Sequence, residues 1–264
     1  MKKITISAIL LVALMGLNSV SFAQRDADRK VHAEVKVLAG GSIGDYGKYT
    51  NFNNSIYNTP EKTEAGAGFT GGFGIKVAFG LPVRNLALFV DADLLISATN
   101  KDLRKEFDDG SISGTPGVTD YYNSTPVPIN LPIMGGVRYD IDFNHNYGMF
   151  IEGGLGVNFG AITPITYNFT YTSGSTKTTV NASLDHHTNI TFAFQAGLGF
   201  NLGQRIRLGV SYFNLGTNNT TWDATVKTTT KVGSSTSTTS DTQKDIKGGK
   251  CNPQMIMGTL AIVF

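Results

Sequence analysis

The sequence is poor in cysteine, in long hydrophobic runs and in excess charge. Cys251 is the only cysteine among 264 residues, which excludes an internal disulfide and any cluster of cysteine metal ligands. Beyond residue 23 no stretch contains about 18 consecutive apolar residues, so the pattern predicts no transmembrane helix there. If this part of the chain meets a membrane, it has to do so with strands.

The first residues have the three-part pattern of a secretory signal peptide. Residues 1–23 contain two lysines, an apolar run and a small residue, Ala23, before the predicted cleavage site at Gln24. Cleavage lowers the number of basic residues from 22 to 20, equal to the 20 acidic residues. The exported chain is then near neutral, which argues against a nucleic-acid partner. Residues 24–30 are expected to form a short periplasmic tail.

Strict alternation of apolar and polar residues dominates residues 31–264. In the stretch VHAEVKVLA, Val35 and Val37 lie on one face, whereas Glu34 and Lys36 lie on the other. Side chains of a β-strand point alternately to two faces, so this pattern predicts a strand. The pattern recurs in segments that start near Phe69, Leu86, Ile129, Met149, Ile190, Ile206 and Gln254, which makes eight strands.

The connections between these strands alternate in length. Each strand is near the roughly 9–11 residues that a tilted transmembrane strand needs. We therefore predict an all-β, closed, antiparallel, eight-stranded transmembrane β-barrel over residues 31–264, with short periplasmic turns and long extracellular loops. The tight connections lie around Leu81–Asn85, Asn144–Asn146 and Gly203–Gln204, and the long ones span about Ser42–Glu64, Ser97–Thr125, Ala161–His187 and Leu215–Lys250.

A soluble β-sandwich would also alternate, but three features favour the barrel. The polar face is rich in glycine and small residues, which suits a narrow lumen. The strands are longer than the usual 5–6 residues or so. Aromatic residues cluster at strand ends, as expected where rings lie at the level of lipid headgroups.

Several segments resemble one family. INLPIMGGVRY (129–139), FIEGGLGVNFG (150–160), FQAGLGFNL (194–202) and RLGVSYFNLG (207–216), together with Phe264, are similar to the OmpA/OmpX-like outer-membrane β-barrel family in its Bacteroidetes form. The resemblance implies a location in the bacterial outer membrane, contact with its lipid, and a terminal Phe264 that is read by the barrel-assembly machinery. It implies little about activity, although some relatives of this fold serve type IX secretion.

Charged residues alternate onto the inward face of the predicted strands. An eight-stranded barrel is only wide enough for its own side chains to fill, and unpaired charges there would be costly. We therefore expect five acids and five bases to pair and plug the lumen, with a narrow or gated ion path as the alternative. The ten residues are Glu34, Lys36, Lys76, Asp91, Asp93, Arg138, Asp140, Glu152, Arg205 and Arg207.

Two motifs match patterns found in nucleotide-binding sites and in enzymes, but their sequence surroundings do not support either role. A G-x-G-x-x-G match at residues 66–71 precedes an alternating strand, not the helix that a dinucleotide site needs. Ser183 and LDHH (184–187) supply residue types used by lipid A-modifying barrels, yet they are sequence neighbours with no second element to orient them. Two histidines also fall short of the three or four ligands of a zinc site. We predict no catalytic, metal or cofactor-binding residues.

The last two long loops are rich in threonine, which favours strands. TYNFTYTSGSTKTTVNASL (166–184) and TTWDATVKTTTKVGSSTSTTSDTQKD (220–245) each contain a central Gly-Ser turn. We expect either protruding β-hairpins whose edges pair with a surface protein, or solvated loops that meet a glycan. The leading hypothesis is a structural or surface-interaction protein; the alternatives are a narrow porin-like or secretion-associated transport component and, last, a lipid A-modifying enzyme.

Overall fold

The computed structural model describes residues 31–44, 67–99, 118–124, 126–144 and 147–264. The predicted signal peptide, the cleavage site between Ala23 and Gln24, and the tail lie outside these residues. Within them the chain forms thirteen strands and no α-helix. None of the described residues forms a helix that is long and apolar enough to cross a membrane. The strands are β1 (Val31–Ile43), β2 (Ala67–Gly80), β3 (Leu86–Thr99), β4 (Val118–Asn123), β5 (Pro128–Asp142), β6 (Tyr147–Ile162), β7 (Ile165–Ser173), β8 (Thr176–His186), β9 (Asn189–Leu202), β10 (Ile206–Asn214), β11 (Asn218–Val232), β12 (Ser235–Cys251) and β13 (Gln254–Val263).

Eight of these strands close into an antiparallel barrel in the order β1-β13-β10-β9-β6-β5-β3-β2. The first and last barrel strands complete the ring, with pairs running from Glu34 opposite Val263 to Ile43 opposite Gln254. Beyond the last strand, the amide of Phe264 donates to the carbonyl of Ala33 at 2.9 Å. The predicted fold class is confirmed, and the closure leaves the barrel without an unpaired edge.

The outer face of the barrel is a continuous apolar surface. Each of the eight strands contributes side chains that are about half exposed, because alternation points them away from the lumen. Aromatic rings are exposed at both ends: Phe79, Phe143, Tyr147 and Phe200 lie at the short-turn end, and Phe69 and Phe192 at the long-loop end. One exposed residue from each strand is Val37, Phe73, Val90, Val137, Ile151, Leu198, Val210 and Leu260.

Described parts of three long connections form a second sheet at the other end of the barrel from the short turns. The predicted hairpins are confirmed: β7 and β8 turn at Gly174, β11 and β12 turn at Gly233, and both glycines have a φ of +57°. The two hairpins also join, because β8 pairs with β11 along its whole length, and β4 adds to β7. The result is one five-stranded sheet in the order β12-β11-β8-β7-β4, which the sequence pattern did not predict.

A small apolar core ties this sheet to the barrel. Ile165, Leu184 and Trp222 are buried, and Ile162 at the end of barrel strand β6 packs against them. Pro164 lies between β6 and β7, where its carbonyl accepts a hydrogen bond from Ser124 Oγ at 3.1 Å. The sheet is therefore anchored at its base, whereas its far end, including most of β12, is exposed.

Candidate functional site

The centre of the lumen is an ion network built around Arg138, whose side chain is only 1% exposed. Its Nε and Nη2 donate to Glu152 Oε2 at 3.0 and 2.8 Å, and its Nη1 donates to Glu34 Oε1 at 2.5 Å. Lys76 Nζ donates to the other oxygen of Glu152 at 2.6 Å. Arg207, on β10, also contacts Glu34. These groups lie on five strands, β1, β2, β5, β6 and β10, and alternation brings them together in the lumen.

A second group of charges continues the network. Lys36 Nζ lies 2.6 Å from an oxygen of Asp91 and 2.9 Å from one of Asp93. Lys76 Nζ is 3.5 Å from Asp91 and so joins this group to the one around Glu152. All of these side chains are buried, which makes the pairing necessary because water cannot solvate them.

The remaining predicted members lie at the short-turn end of the lumen. Asn201 donates to Asp140 at 2.9 Å and accepts from Arg207 Nε at 2.9 Å, so Asp140 reaches the network through an amide. Arg205 differs from the expectation. It belongs to the turn between β9 and β10, before the alternation of β10 begins at Ile206, and it is exposed. Its predicted inward position is wrong, because β10 begins one residue later than the alternation indicates.

The long-loop side of the lumen is filled by large apolar side chains that the sequence analysis missed. They continue the inward-facing positions of the same strands: Leu38 follows Lys36 on β1, and Leu95 follows Asp93 on β3. Alternation places these apolar residues on the inward face, but the prediction considered only the glycines and the charged residues of that face. This apolar layer consists of Leu38, Ala67, Leu95, Met134, Ala193, Phe213, Leu215, Met255 and Met257, all nearly inaccessible to solvent.

Two aromatic rings contact cations of the network. Lys76 Nζ lies 4.6 Å from the centroid of the Phe89 ring, and the Arg138 guanidinium carbon lies 5.0 Å from the centroid of Phe150. These are cation–π distances. Rings, ion pairs and the apolar layer are all buried inside the described part of the barrel.

The histidines of the LDHH segment point to opposite faces of the five-stranded sheet. The His186 ring packs edge-on against Trp222 at 4.8 Å between ring centroids, and both of its nitrogens are buried without a hydrogen-bond partner among the described residues. Burial, with a smaller contribution from His187, lowers the pKa of His186 to about 4. His186 is therefore a neutral packing residue, and Ser183 donates to Asp185 at 3.2 Å instead of to a histidine.

His187 meets two carboxylates on the other face. Its Nε2 lies 3.0 Å from Asp223 Oδ1, and its Nδ1 lies 3.9 Å from Asp245 Oδ1. The amide of Asp245 donates to Asp223 Oδ1 at 3.0 Å. That backbone hydrogen bond, followed by the one from His187, holds the pKa of Asp223 below its usual value. Among the described residues these three side chains form the group whose donor atoms, all within 4.8 Å of one another, suit a metal ion.

The outermost strand of the sheet, β12, is paired on one side and has no strand partner on the other among the described residues. It pairs with β11 and stands at the end of the strand order. Its side chains from Ser235 to Asp245 are exposed and mostly hydroxyl-bearing or charged. Threonine pairs cross from β11 to β12 on the sheet face: Thr225 lies 3.4 Å from Thr242 and Thr229 lies 3.3 Å from Thr238, oxygen to oxygen.

No protein-family model and no curated protein matches the chain. Three solved structures show a limited similarity to it. Neisserial surface protein A is 9% identical over 89% of this chain and 97% of its own, with a TM-score of 0.36. A major outer membrane protein from Thermus thermophilus is 10% identical over 89% and 99%, with a TM-score of 0.36. Outer membrane protein AlkL, studied in lipid bilayers, is 15% identical over 92% and 95%, with a TM-score of 0.35. Similarity at this level says nothing about what the chain binds, so its function has to be inferred from its own side chains.

Proposed function

We propose that the chain is a small bacterial outer-membrane protein whose barrel anchors a surface-recognition sheet. The apolar outer face supports the membrane assignment. A water-soluble monomer rarely exposes an apolar patch larger than a few hundred Å², whereas here exposed apolar side chains surround the whole barrel. Such a surface is compatible with lipid, and the eight described barrel strands pair in a closed ring, as a bilayer requires.

The proposed orientation follows from the lengths of the connections. Short turns face the periplasm, and the five-stranded sheet stands outside the cell. The terminal Phe264 then lies at the periplasmic edge, where the barrel-assembly machinery is the proposed reader of the last strand. The sheet becomes the part of the molecule that meets other cells, surface proteins and glycans.

The filled lumen supports a role outside the barrel. The ion network around Arg138 blocks one half of the barrel interior, and the apolar layer around Leu95 and Phe213 blocks the other. Conducting an ion through that layer would require transferring its charge into a dry apolar environment, which is costly. Recognition on the sheet needs no movement of these groups.

The open edge of β12 is the observation that carries the proposed function. The backbone groups on this side of β12, which pair with no strand in the described part of the chain, can accept an extended segment of another protein as an additional strand. The exposed charges of β12 at Asp241, Lys244 and Asp245 reduce uncontrolled self-pairing of this edge. We therefore propose an extended segment of a surface protein as the partner, and a glycan bound by the threonine hydroxyls as the alternative.

Deleting Thr220–Lys247 is expected to abolish partner binding while the barrel still folds. The deletion joins Asn219 to Gly248, and Asn219 is the register partner of nearby Lys250, so the cut ends lie close together. Binding of the purified protein in lipid nanodiscs to intact cells of the source bacterium would be measured by flow cytometry. Barrel folding would be checked by the shift in electrophoretic mobility on heating.

A matched variant separates the two partners. Thr229→Ala combined with Thr238→Ala removes a hydroxyl pair from the sheet face but leaves the β12 backbone intact. Unchanged binding by this variant supports strand addition, and lost binding supports a glycan. If the hairpin deletion binds cells as well as the intact protein does, the sheet is not the recognition surface.

Transport is the second candidate function. The charges that line the lumen at Glu34, Lys36 and Arg138 favour it, since a rearrangement of their pairs would open an ion path. A secretion-associated role is a variant of the same hypothesis. We assign no enzymatic activity to the chain, because the contacts of His186 and His187 lead to different faces of the sheet.

A further inference from the structure

We propose that His187, Asp223 and Asp245 bind a divalent transition-metal ion, best matched by Zn²⁺, that fastens the base of the five-stranded sheet. One imidazole nitrogen and two carboxylate oxygens are ligands that Zn²⁺ accepts, at roughly 2.0–2.2 Å. Three protein ligands with a fourth position open to water is an established zinc arrangement. The three donor atoms already lie within 4.8 Å of one another, so modest side-chain rotations would place them around an ion.

The three ligands come from three different segments. His187 follows the end of β8, and its amide donates to the carbonyl of Thr221 at 2.9 Å, which fixes the residue against β11. Asp223 lies on β11 and Asp245 on β12. An ion at this point would therefore join both hairpins, which otherwise depend on backbone pairing and the small core around Trp222.

An irregularity in the pairing of β11 with β12 orients the Asp223 and Asp245 side chains toward the proposed ion. The register between β11 and β12 shifts between Trp222 and Ala224, so Asp223 has no Cα partner on β12. Asp245 has a φ of +55°, a left-handed conformation that is uncommon outside glycine, although Asp tolerates it better than most residues. β-bulges often re-aim a side chain at a functional site. Regular pairing would not bring the Asp245 amide and its carboxylate to Asp223.

The surrounding charge also favours a cation. Asp185 is the register partner of Asp223 on β8, so a third carboxylate lies on the same part of the sheet. Lys244 also acts on Asp223, and its positive charge offsets part of this attraction. The site is open to solvent, with Asp245 80% exposed and His187 41% exposed, so an ion can reach it from outside without opening the fold.

Zinc titration of the untagged full-length protein tests the proposal. Calorimetry in detergent would be carried out on a Cys251→Ser background, which removes the lone thiol as a competing ligand. We expect one saturable Zn²⁺ site per chain. His187→Gln and Asp223→Asn should each weaken binding by about 100-fold or more, since removing a ligand costs more than removing a group that only orients one. Ca²⁺ and Mg²⁺ should not compete, because they prefer sites made of more oxygen ligands.

Asp241→Asn is the matched control, since Asp241 is an exposed carboxylate on β12 opposite Val226 and away from the cluster. Its affinity for Zn²⁺ should equal that of the parent. The proposal is overturned if binding does not saturate below about 1 mM, a free energy weaker than about 4 kcal/mol, or if His187→Gln binds as the parent does. In either case the three side chains form a hydrogen-bonded cluster only.

Hydrogen exchange tests the fastening role separately. Zn²⁺ should slow exchange at the amides of β8, β11 and β12 near the cluster and leave the barrel strands unchanged, because a ligand stabilises the state that binds it. Binding without any change in exchange would contradict the fastening role. Neither readout depends on whether the sheet recognises a partner, so the zinc site and the proposed recognition function succeed or fail independently.

Discussion

Replacing Arg138 with alanine is expected to destabilise the folded barrel by about 3–5 kcal/mol. Arg138 donates to Glu34 on one side and to Glu152 on the other, and all three side chains are buried. Its removal leaves two carboxylates close together with less compensating charge and no access to water. The free energy of unfolding would be measured by urea titration of the protein in lipid vesicles.

Arg205→Ala is the control for this experiment. The same residue type is removed, but Arg205 is exposed in the turn between β9 and β10, so the change should lie within about 0.5 kcal/mol of the parent. Equal losses for Arg138→Ala and Arg205→Ala would show that the network does not stabilise the barrel.

Replacing Gly136 with valine is expected to cost about 1–3 kcal/mol or more, whereas Gly135→Val should have little effect. The two glycines are neighbours on β5, but alternation sends Gly136 into the lumen and Gly135 outward. A Cβ on Gly136 would meet the carbonyl oxygen of Gly153 and lie 2.5 Å from the end of the Phe89 ring. Phe89 cannot yield freely, because it packs under Lys76.

Gly135 provides the control within the same strand. The nearest atom to a Cβ at this position is the Phe89 carbonyl oxygen at 3.9 Å, an ordinary contact. A valine there is expected to be neutral or to gain up to about 1 kcal/mol, since glycine is unfavourable in strands and the site is exposed. The same urea titration measures both variants. If Gly135→Val proves as damaging as Gly136→Val, the inside and outside of the barrel have been assigned wrongly.

The barrel could be predicted because the sequence patterns that specify its strands and tight turns are local. Alternation of period two assigns each strand and its two faces, and short turns such as the one around Gly203 identify neighbouring strands. A membrane-facing strand also has to be long, which separates it from loops. The pairing of the ion network followed from a physical constraint, since opposite charges facing a narrow lumen have to meet.

The five-stranded sheet, the apolar layer and the cluster around His187 could not be predicted, because they depend on contacts between segments that alternation within one strand does not encode. Threonine-rich strands carry little register information, so the pairing of β8 with β11 could not be read from either hairpin alone. Alternation shows that Leu38 faces inward but not that it meets Phe213 and Met257 at the same level of the barrel. The cluster of His187, Asp223 and Asp245 requires both the β8–β11 pairing and the irregularity on β12.

Planar-bilayer recording of the full-length protein tests the central claim, that side chains fill the lumen and function lies on the sheet, most directly. With the ion network and the apolar layer intact, the purified protein should insert without producing steady single-channel steps at any applied voltage that the bilayer withstands. Arg205→Ala, which leaves the lumen unchanged, should behave in the same way. Regular, reproducible conductance steps from the intact protein would contradict the claim and make transport the leading function.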